Sequence, residues 1–250
     1  MLNRGRKLLL GALVMLPLLH QAGGTAQADA TLPMGEILKR TESYYQSLQA
    51  FTSEFVQVTT SAATNTVTTE AAGFLYYQKP RQMRWEYNTP EKQVFIANQK
   101  LAWLYEPSER QISLFDPTNF FDSPLARTFF DGVAGLRSNF EVSLDNERTN
   151  QAVAVLKLTP KKEDPNIKQL RLWIDAKTFE ITRVETQDAL ANTNLIVLKE
   201  QKPSTDLSAK LFQLNVPAST SVVDADGRRL SEAEIKKLQQ KLQSKQEGQS

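Results

Sequence analysis

Apolar and polar residues alternate along most of the chain, and the alternation stops at short segments rich in turn-forming residues. A period of two predicts β-strands, because successive side chains of a strand point to opposite faces of its sheet. The predicted strands lie at about 51–60, 66–78, 81–87, 92–97, 101–106, 110–115, 139–145, 152–159, 167–175, 180–188 and 193–201. Segment 210–216 is a candidate for one more strand. Short polar turns join most of these segments, which favours an antiparallel meander over a parallel sheet with crossover helices.

Two segments of the first half have helical rather than alternating spacing. Residues 34–50 predict a first helix, because their apolar residues recur at mostly helical intervals. Residues 122–124, Asp-Ser-Pro, resemble a helix start with proline at an early position. Apolar residues follow at i, i+4, i+5 and i+8: Leu125, Phe129, Phe130 and Val133. A short apolar helix is therefore predicted to interrupt the sheet, and Asp116-Pro117 ahead of it is predicted to open a loop.

The composition becomes polar after Pro217. Ser231 and Glu234 have the spacing of a capping box. Apolar residues then recur on one helical face: Ile235, Leu238 and Leu242. We favour a solvent-exposed helix that frays before the last residue, and a partner-docking helix is the alternative. We therefore expect one folded domain over residues 29–225, followed by a polar tail at 226–250 that contains this helix.

Large side chains are concentrated in residues 73–114. They are Phe74, Tyr76, Tyr77, Met83, Trp85, Tyr87, Phe95, Trp103 and Tyr105. On one predicted strand Met83, Trp85 and Tyr87 share a face, whereas the two charged residues between them point the other way. A sheet that is apolar on one side and partly covered by helices can enclose a ligand cavity. The alternative is that these side chains only fill a core against the helices.

Residues 1–28 have the features of a secretion signal. Three basic residues make its start positive: Arg4, Arg6 and Lys7. The apolar run at 8–19 is too short to span a bilayer comfortably, and 26–28 form a small-x-small cleavage site. We expect cleavage after Ala28 and a soluble protein in the periplasm, and an uncleaved membrane anchor is the alternative.

Removal of this segment changes the charge balance. The segment holds three of the 30 basic residues and none of the 28 acidic ones, so the mature chain has a net charge of −1. Without an excess of basic residues, the mature chain lacks the positive charge that is the main argument for a nucleic-acid partner.

The residue types also limit the chemistry. The only histidine of the chain is His20, inside the predicted signal, and the chain has no cysteine. These absences argue against Ser-His-Asp or Cys-His catalysis, thiol redox chemistry and the usual zinc, haem or iron–sulfur sites. Carboxylates could pair for glycoside hydrolysis, but nothing in the sequence places two of them together. We therefore expect no cofactor, no metal and no enzyme activity.

Several short motifs occur in the order found in a known family. They are Phe51-x3-Phe55-x-Gln57, Gly73-Phe74-Leu75, Lys79-Pro80-x4-Trp85-x4-Pro90, Trp103-x-Tyr105-x-Pro107 and Leu211-Phe212-x-Leu214 with Pro217. Behind a signal segment, this order resembles the periplasmic outer-membrane lipoprotein carrier proteins, the LolA family. The resemblance runs from the first helix to about Val223.

The resemblance implies a fold and a function. The fold is α+β and mostly β: an unclosed antiparallel half-barrel, here of about 11 strands, whose concave apolar face is covered by helices. The implied function is that of a monomeric chaperone that takes lipoproteins from an inner-membrane ABC transporter. It passes them to an outer-membrane receptor lipoprotein while their acyl chains stay inside its apolar cavity.

The resemblance also implies site residues. The candidates for the acyl-chain cavity are Phe55, Leu75, Tyr77, Met83, Trp85, Tyr87, Trp103 and Tyr105. The candidates for a lid are Leu125, Phe129, Phe130 and Val133. The family usually has an arginine before the proline that corresponds to Pro80, and that arginine bonds to lid carbonyls. This chain has Lys79 there, and an ammonium lacks the planar fork of arginine, so we expect a weaker latch at Lys79 or one at Arg81.

Two other functions stay open on the sequence alone. One is a carrier of another lipid, such as a glycolipid or a pigment-linked lipid. The other is an envelope sensor module on the same fold. The identity of a bound lipid would separate the two carriers.

Overall fold

The computed structural model describes residues 32–122, 126, 137–164 and 167–244. This part of the chain is mostly β, with twelve strands and three α-helices of described bounds. The helices are α1 (Met34–Ser47), α2 (Pro117–Phe121) and α3 (Glu232–Ser244), and a 3-10 helix covers Ala209–Phe212. The strands are β1 (Ala50–Ser61), β2 (Thr66–Gln78), β3 (Gln82–Thr89), β4 (Gln93–Ala97), β5 (Ala102–Glu106), β6 (Gln111–Phe115), β7 (Phe140–Leu144), β8 (Val153–Pro160), β9 (Gln169–Asp175), β10 (Ile181–Gln187), β11 (Thr193–Ser204) and β12 (Ser221–Val223).

Within the described residues, no helix has both the length and the apolar composition needed to cross a membrane. The predicted signal, residues 1–28, lies outside the described residues.

All twelve strands form one sheet, in the order β12-β6-β5-β4-β3-β2-β1-β11-β10-β9-β8-β7. Neighbouring strands are antiparallel, except that β12 runs parallel to β6. The edge strands β12 and β7 do not pair with each other in the described part, so the sheet is unclosed. The predicted unclosed half-barrel is confirmed. The prediction of a strand at 210–216 was wrong, because that segment forms the 3-10 helix and the twelfth strand lies beyond it.

Gly73 allows β2 and β3 to approach closely. The register of this strand pair shifts between Ala72 and Gly73. A Cβ atom at Gly73 would overlap the carbonyl oxygen of Glu86 and lie 3.0 Å from the Cα atom of Tyr87. The bulge therefore requires glycine, and Gly73 lies between Phe55 on β1 and Tyr87 on β3.

Each face of the sheet has its own apolar cluster. The inner face is the one that carries Met83, Trp85 and Tyr87. Residues of β1, β2 and β7 to β11 join these three and α1 in what we call the inner-face cluster. The opposite, outer face carries the outer-face cluster, which includes Trp103 and Ile112. A sheet that is apolar on both faces needs a cover on each.

The chain after Leu207 covers the outer-face cluster. Phe212, Leu214 and Val222 contribute buried side chains. Helix α3 adds three apolar residues at helical spacing: Ile235, Leu238 and Leu242. The side-chain amide of Gln239 donates to the carbonyl oxygen of Leu214 at 3.3 Å. Helix α3 thus packs on its own sheet through this apolar side, and most of its other described residues are exposed.

The predicted capping box is present at the start of α3. The N–H of Glu234 donates to Ser231 Oγ at 3.4 Å, and the N–H of Ser231 donates to Glu234 Oε2 at 2.8 Å. Arg228 donates to carboxylate oxygens of both Glu234 and Asp224, at 3.0 Å each. These contacts fix the residue at which α3 begins.

Helix α2 occupies a segment predicted to be a loop. The N–H of Thr118 donates to Asp116 Oδ1 at 2.8 Å, and Pro117 lies in the first turn. An aspartate N-cap followed by proline is a helix-start signal, and the prediction gave more weight to the turn that this pair also favours. Asp122, predicted to start a helix, follows the C-terminal end of α2.

Candidate functional site

Aromatic rings form the centre of the inner face. The strand register aligns Phe55 with Tyr87 across Gly73, and it pairs Leu75 with Trp85 beside them. The ring of Phe55 makes edge contacts with the rings of Trp85 and Tyr87, at centroid distances of 4.7 and 5.0 Å. Edge contacts of this kind add about 0.5–1.5 kcal/mol per pair beyond the burial of area.

The apolar surface continues from these rings toward the turn between β2 and β3. The rings of Phe51 and Tyr77 stack at 4.9 Å, and Met83 is paired with Tyr77. Six of the predicted cavity residues therefore share one inner face: Phe55, Leu75, Tyr77, Met83, Trp85 and Tyr87. Their contact with acyl chains stays a prediction. Phe51 belongs to the same surface, and its spacing of four residues from Phe55 on one strand is the signal that identifies it.

Trp103 and Tyr105 lie on the other side of the sheet. Trp103 pairs with Ile96, which follows the inner-face residue Phe95 on β4 and therefore points outward. Both aromatic residues belong to the outer-face cluster, where Phe212 packs beside them. The structure therefore does not bring them together with the other six candidates.

Helix α1 lies on the inner face and covers it. Its buried residues Ile37, Leu38 and Tyr45 join the inner-face cluster. The hydroxyl of Tyr45 accepts a hydrogen bond from the N–H of Ile181 at 3.0 Å and donates to Gln201 Oε1 at 3.3 Å. Burial raises the pKa of Tyr45 above its ordinary value, so this phenol stays neutral.

A second set of contacts joins α1 to the turn between β9 and β10. The hydroxyl of Tyr44 donates to Glu180 Oε1 at 2.7 Å, and the guanidinium of Arg40 lies 5.2 Å from the ring centroid of Phe179. Burial and the neighbouring Glu180 carboxylate both raise the pKa of Tyr44. This edge of α1 is thus held by one hydrogen bond and one cation–π contact at a single turn.

Lys79 holds the C-terminal end of α1. Its Nζ donates to the carbonyl oxygens of Tyr45 and Gln46, at 3.0 and 2.8 Å. These carbonyls belong to the last turn, where a cation also interacts favourably with the helix dipole. Partial burial lowers the pKa of Lys79. The lysine thus reaches two acceptors despite lacking a planar fork, and both acceptors belong to α1.

Arg81 contacts a different helix. Its guanidinium lies 5.4 Å from the ring centroid of Phe121 in α2. Helix α2 also packs on the inner face through Phe120, whose ring lies 4.9 Å from that of Phe95 on β4. The two latch candidates, Lys79 and Arg81, therefore contact two separate covers of the inner face.

A polar group beneath α1 lacks a partner. Thr41 is fully buried, and its Oγ1 has no hydrogen-bond partner in the described part of the chain. Leaving a buried hydroxyl unpaired costs about 1–3 kcal/mol. Thr41 was not among the predicted site residues, although its position between Leu38 and Tyr45 places it on the apolar side of the helix.

A model of the family described as Outer membrane lipoprotein carrier protein LolA matches residues 46–215. The chain belongs to the LolA family. The matched range includes every inner-face residue of β1 to β4 described above, and it leaves out β12 and α3.

Two named relatives are similar to the chain in sequence, and one solved structure is similar to it in fold. The chain is 26% identical over 182 residues to the Outer-membrane lipoprotein carrier protein of Methylobacillus flagellatus, covering 73% of this chain and 86% of that protein. It is 24% identical over 212 residues to the protein of the same name from Methylococcus capsulatus, covering 85% and 96%. An uncharacterized conserved protein from Thermus thermophilus has a similar fold, with a TM-score of 0.50 at 15% identity, covering 76% and 98%.

The lid predicted from the LolA resemblance cannot be placed on this fold. Its four residues lie outside the described residues: Leu125, Phe129, Phe130 and Val133. Ala126, which is described, is fully buried and packs with Ala97, Ala102 and Phe121. The role of the four residues as a lid stays a prediction.

The inner face of this LolA-family chain becomes polar toward the turn between β1 and β2. The hydroxyl of Tyr87 donates to Gln57 Oε1 at 3.1 Å, and Gln57 Nε2 donates to Asn194 Oδ1 at 3.0 Å. Burial raises the pKa of Tyr87. The ring of Tyr87 faces the apolar cluster and its hydroxyl faces this polar chain, so Tyr87 marks the boundary between the two.

An open pocket of about 330 Å³ lies beside this boundary. We call it the mouth pocket. It is lined by Gln57, Thr69, Ala71, Tyr87, Thr89, Pro90, Glu91 and Gln93. Within the described residues, no group of three or more His, Cys, Asp or Glu side chains is placed to hold a metal ion.

Proposed function

We propose that this chain carries lipoproteins across the periplasm and shields their acyl chains between the inner face and α1. The observation that supports it most is the continuous apolar inner face, which runs beneath helix α1. Membership of the LolA family supports the same role.

The energetics of the inner face suit a carrier. Exposing an acyl chain to water costs about 0.8 kcal/mol per methylene group, so a chain must remain covered during transit. A cover that is too stable would also exclude the cargo. Helix α1 is fixed by Lys79, Tyr44 and Tyr45 and is weakened by the unpaired hydroxyl of Thr41. Displacement of α1 would open the inner face without unfolding the sheet.

The location and the partners complete the proposal. Residues 1–28 would direct export and be removed after Ala28. An inner-membrane ABC transporter would load the monomeric carrier, and an outer-membrane receptor lipoprotein would unload it. Direction would come from the energy of the transporter and a tighter receptor, so the chain would need no catalytic group, metal or cofactor of its own.

The positions of the three tryptophans allow a direct test. Trp85 lies on the inner face, Trp103 belongs to the outer-face cluster, and Trp173 alternates with inner-face residues of β9 and so points outward. The probe is a triacylated lipopeptide with bromine atoms, which quench tryptophan fluorescence on contact, in its acyl chains. A Trp103→Phe/Trp173→Phe variant keeps only Trp85, and we expect the lipopeptide to quench it strongly.

Two matched variants serve as controls. Trp85→Phe/Trp173→Phe keeps only Trp103, and Trp85→Phe/Trp103→Phe keeps only Trp173. We expect little quenching of either when circular dichroism shows an intact fold. Equal quenching at all three positions would indicate adsorption of the lipid to the surface. Saturating lipopeptide without quenching of Trp85 would refute the proposed binding face.

A further inference from the structure

The mouth pocket lies where the apolar inner face ends. Gln57 is paired with Ala71 and Tyr87 with Gln93, so these four residues continue the inner face of β1 to β4. Phe55 lies two residues before Gln57 on the same strand and face. An amphiphile whose chains lay on the inner face could therefore place its polar end in this pocket.

The size of the pocket suits a head group rather than an acyl chain. Pockets for small ligands enclose about 300–1,000 Å³, and the mouth pocket, at about 330 Å³, is at the lower end of that range. It is also bordered by the polar chain formed by Tyr87, Gln57 and Asn194. An acyl chain placed there would displace water from the polar side chains of the lining, such as the amide of Gln93 and the hydroxyls of Thr69 and Thr89, without replacing its hydrogen bonds.

The chemistry of the lining distinguishes between head groups. The amides of Gln57 and Gln93 and the hydroxyls of Thr69 and Thr89 offer both donors and acceptors. These groups match the amides and esters at the acylated end of a lipoprotein. Glu91 is the charged residue among the eight that line the pocket, and its carboxylate would repel a phosphate.

We propose that the mouth pocket is the head-group subsite of the carrier, and that it selects an uncharged, amide-bearing acylated peptide against anionic phospholipids. This inference rests on the proposed function, because the head group reaches the pocket only when the acyl chains lie on the inner face. Selection of this kind would matter in a compartment bounded by phospholipid membranes, since phospholipid chains would fit the same apolar surface.

The test compares two lipids that share acyl chains and differ in head group. Neutral phosphatidylcholine vesicles carry the same low mole fraction of either a brominated diacyl lipopeptide or phosphatidylglycerol with the same two brominated acyl chains. Quenching of Trp85 in the Trp103→Phe/Trp173→Phe background reports uptake of either lipid. We expect this protein to take up the lipopeptide at least tenfold more readily, a ratio of the size that one nearby charge can produce.

Substitution of Glu91 tests the source of the preference. Glu91→Gln should increase uptake of phosphatidylglycerol about tenfold and leave uptake of the lipopeptide nearly unchanged. Glu109→Gln makes the same change of net charge at an exposed turn between β5 and β6, and it should alter the uptake of neither lipid. Gln57→Leu should instead reduce lipopeptide uptake, because the pocket loses hydrogen-bonding groups.

The outcomes separate this inference from the proposed function. Quenching of Trp85 by both lipids to the same extent, unchanged by Glu91→Gln, would overturn the head-group subsite and leave the acyl-chain carrier intact. A shift produced equally by Glu91→Gln and Glu109→Gln would show a general charge effect and would also overturn the subsite. Absence of Trp85 quenching by either lipid would overturn both proposals.

Discussion

Thr41 shows how one atom can adjust the closure of the inner face. Its buried Oγ1 has no partner in the described part of the chain, so each closed molecule loses the hydration of that hydroxyl. Thr41→Val replaces the hydroxyl with a methyl group of similar size and changes helix propensity little. We expect it to stabilise the fold by about 1–2 kcal/mol and to raise Tm by about 2–4 °C per kcal/mol. Cargo uptake should slow, because α1 is harder to displace.

Calorimetry and the rate of Trp85 quenching measure these two effects. Thr41→Ser is the matched control, since it keeps the unpaired hydroxyl and removes a buried methyl group, so it should lower Tm. A lower Tm for Thr41→Val would show that the hydroxyl is paired in solution and would end this explanation.

Single residues also show what the alternation of apolar and polar side chains along a strand can and cannot predict. It correctly groups Met83, Trp85 and Tyr87, and it also groups Trp103 with Tyr105. It does not say which of two apolar faces turns inward, because that depends on which helix covers each face. Trp103 and Tyr105 lie on the outer face, which is covered by a segment that begins about a hundred residues later in the chain.

At the scale of single elements, the attachment of α1 through Lys79 can be tested by a single substitution. Lys79→Met keeps most of the apolar stem and removes the bonds from Nζ to the carbonyls of Tyr45 and Gln46. Water can reach this partly exposed helix end, so we expect a loss of overall stability below about 1 kcal/mol. If the free energy that favours the closed position of α1 falls by a similar amount, the population of open molecules rises by up to about fivefold. Uptake of cargo should become faster in the same proportion.

Hydrogen exchange of residues 34–47 and the rate of Trp85 quenching are the measurements for this variant. Lys79→Arg should restore both, because a guanidinium can also donate to two carbonyls. Lys39→Met removes a lysine from the exposed side of the same helix and should change neither. Unchanged exchange and uptake in Lys79→Met would show that Lys79 is not a latch.

Elements were predictable where their signals were local. The strands follow from alternation, and the capping box at Ser231 and Glu234 marks the start of α3. The prediction missed α2, because an Asp-Pro pair is a signal for both a turn and a helix N-terminus. The parallel pairing of β12 with β6 was also out of reach, since contacts between distant segments of the chain leave no local period.

In the described part of the chain, the two faces of one sheet have separate covers. Helices α1 and α2 cover the inner face, which has to open under the proposed function, whereas the chain after Leu207 covers the outer face. Tests of cargo binding should therefore compare the hydrogen exchange of both covers within the same sample. A change confined to one cover would show that the two faces open independently.

Acid should loosen the start of α3 through Glu234. Hydrogen bonds from the backbone N–H and hydroxyl of Ser231, together with Arg228, lower the pKa of Glu234 from 4.5 to about 2. Because the folded-state pKa is depressed, its stabilising contribution is present above pH 4.5 and is lost as the pH falls toward 2. We expect hydrogen exchange of residues 232–244, corrected for intrinsic rates, to rise over this interval. Glu234→Gln can still form a capping box and does not titrate, so its protection should stay flatter with pH. A parallel loss of protection in both proteins would place the acid-sensitive group elsewhere.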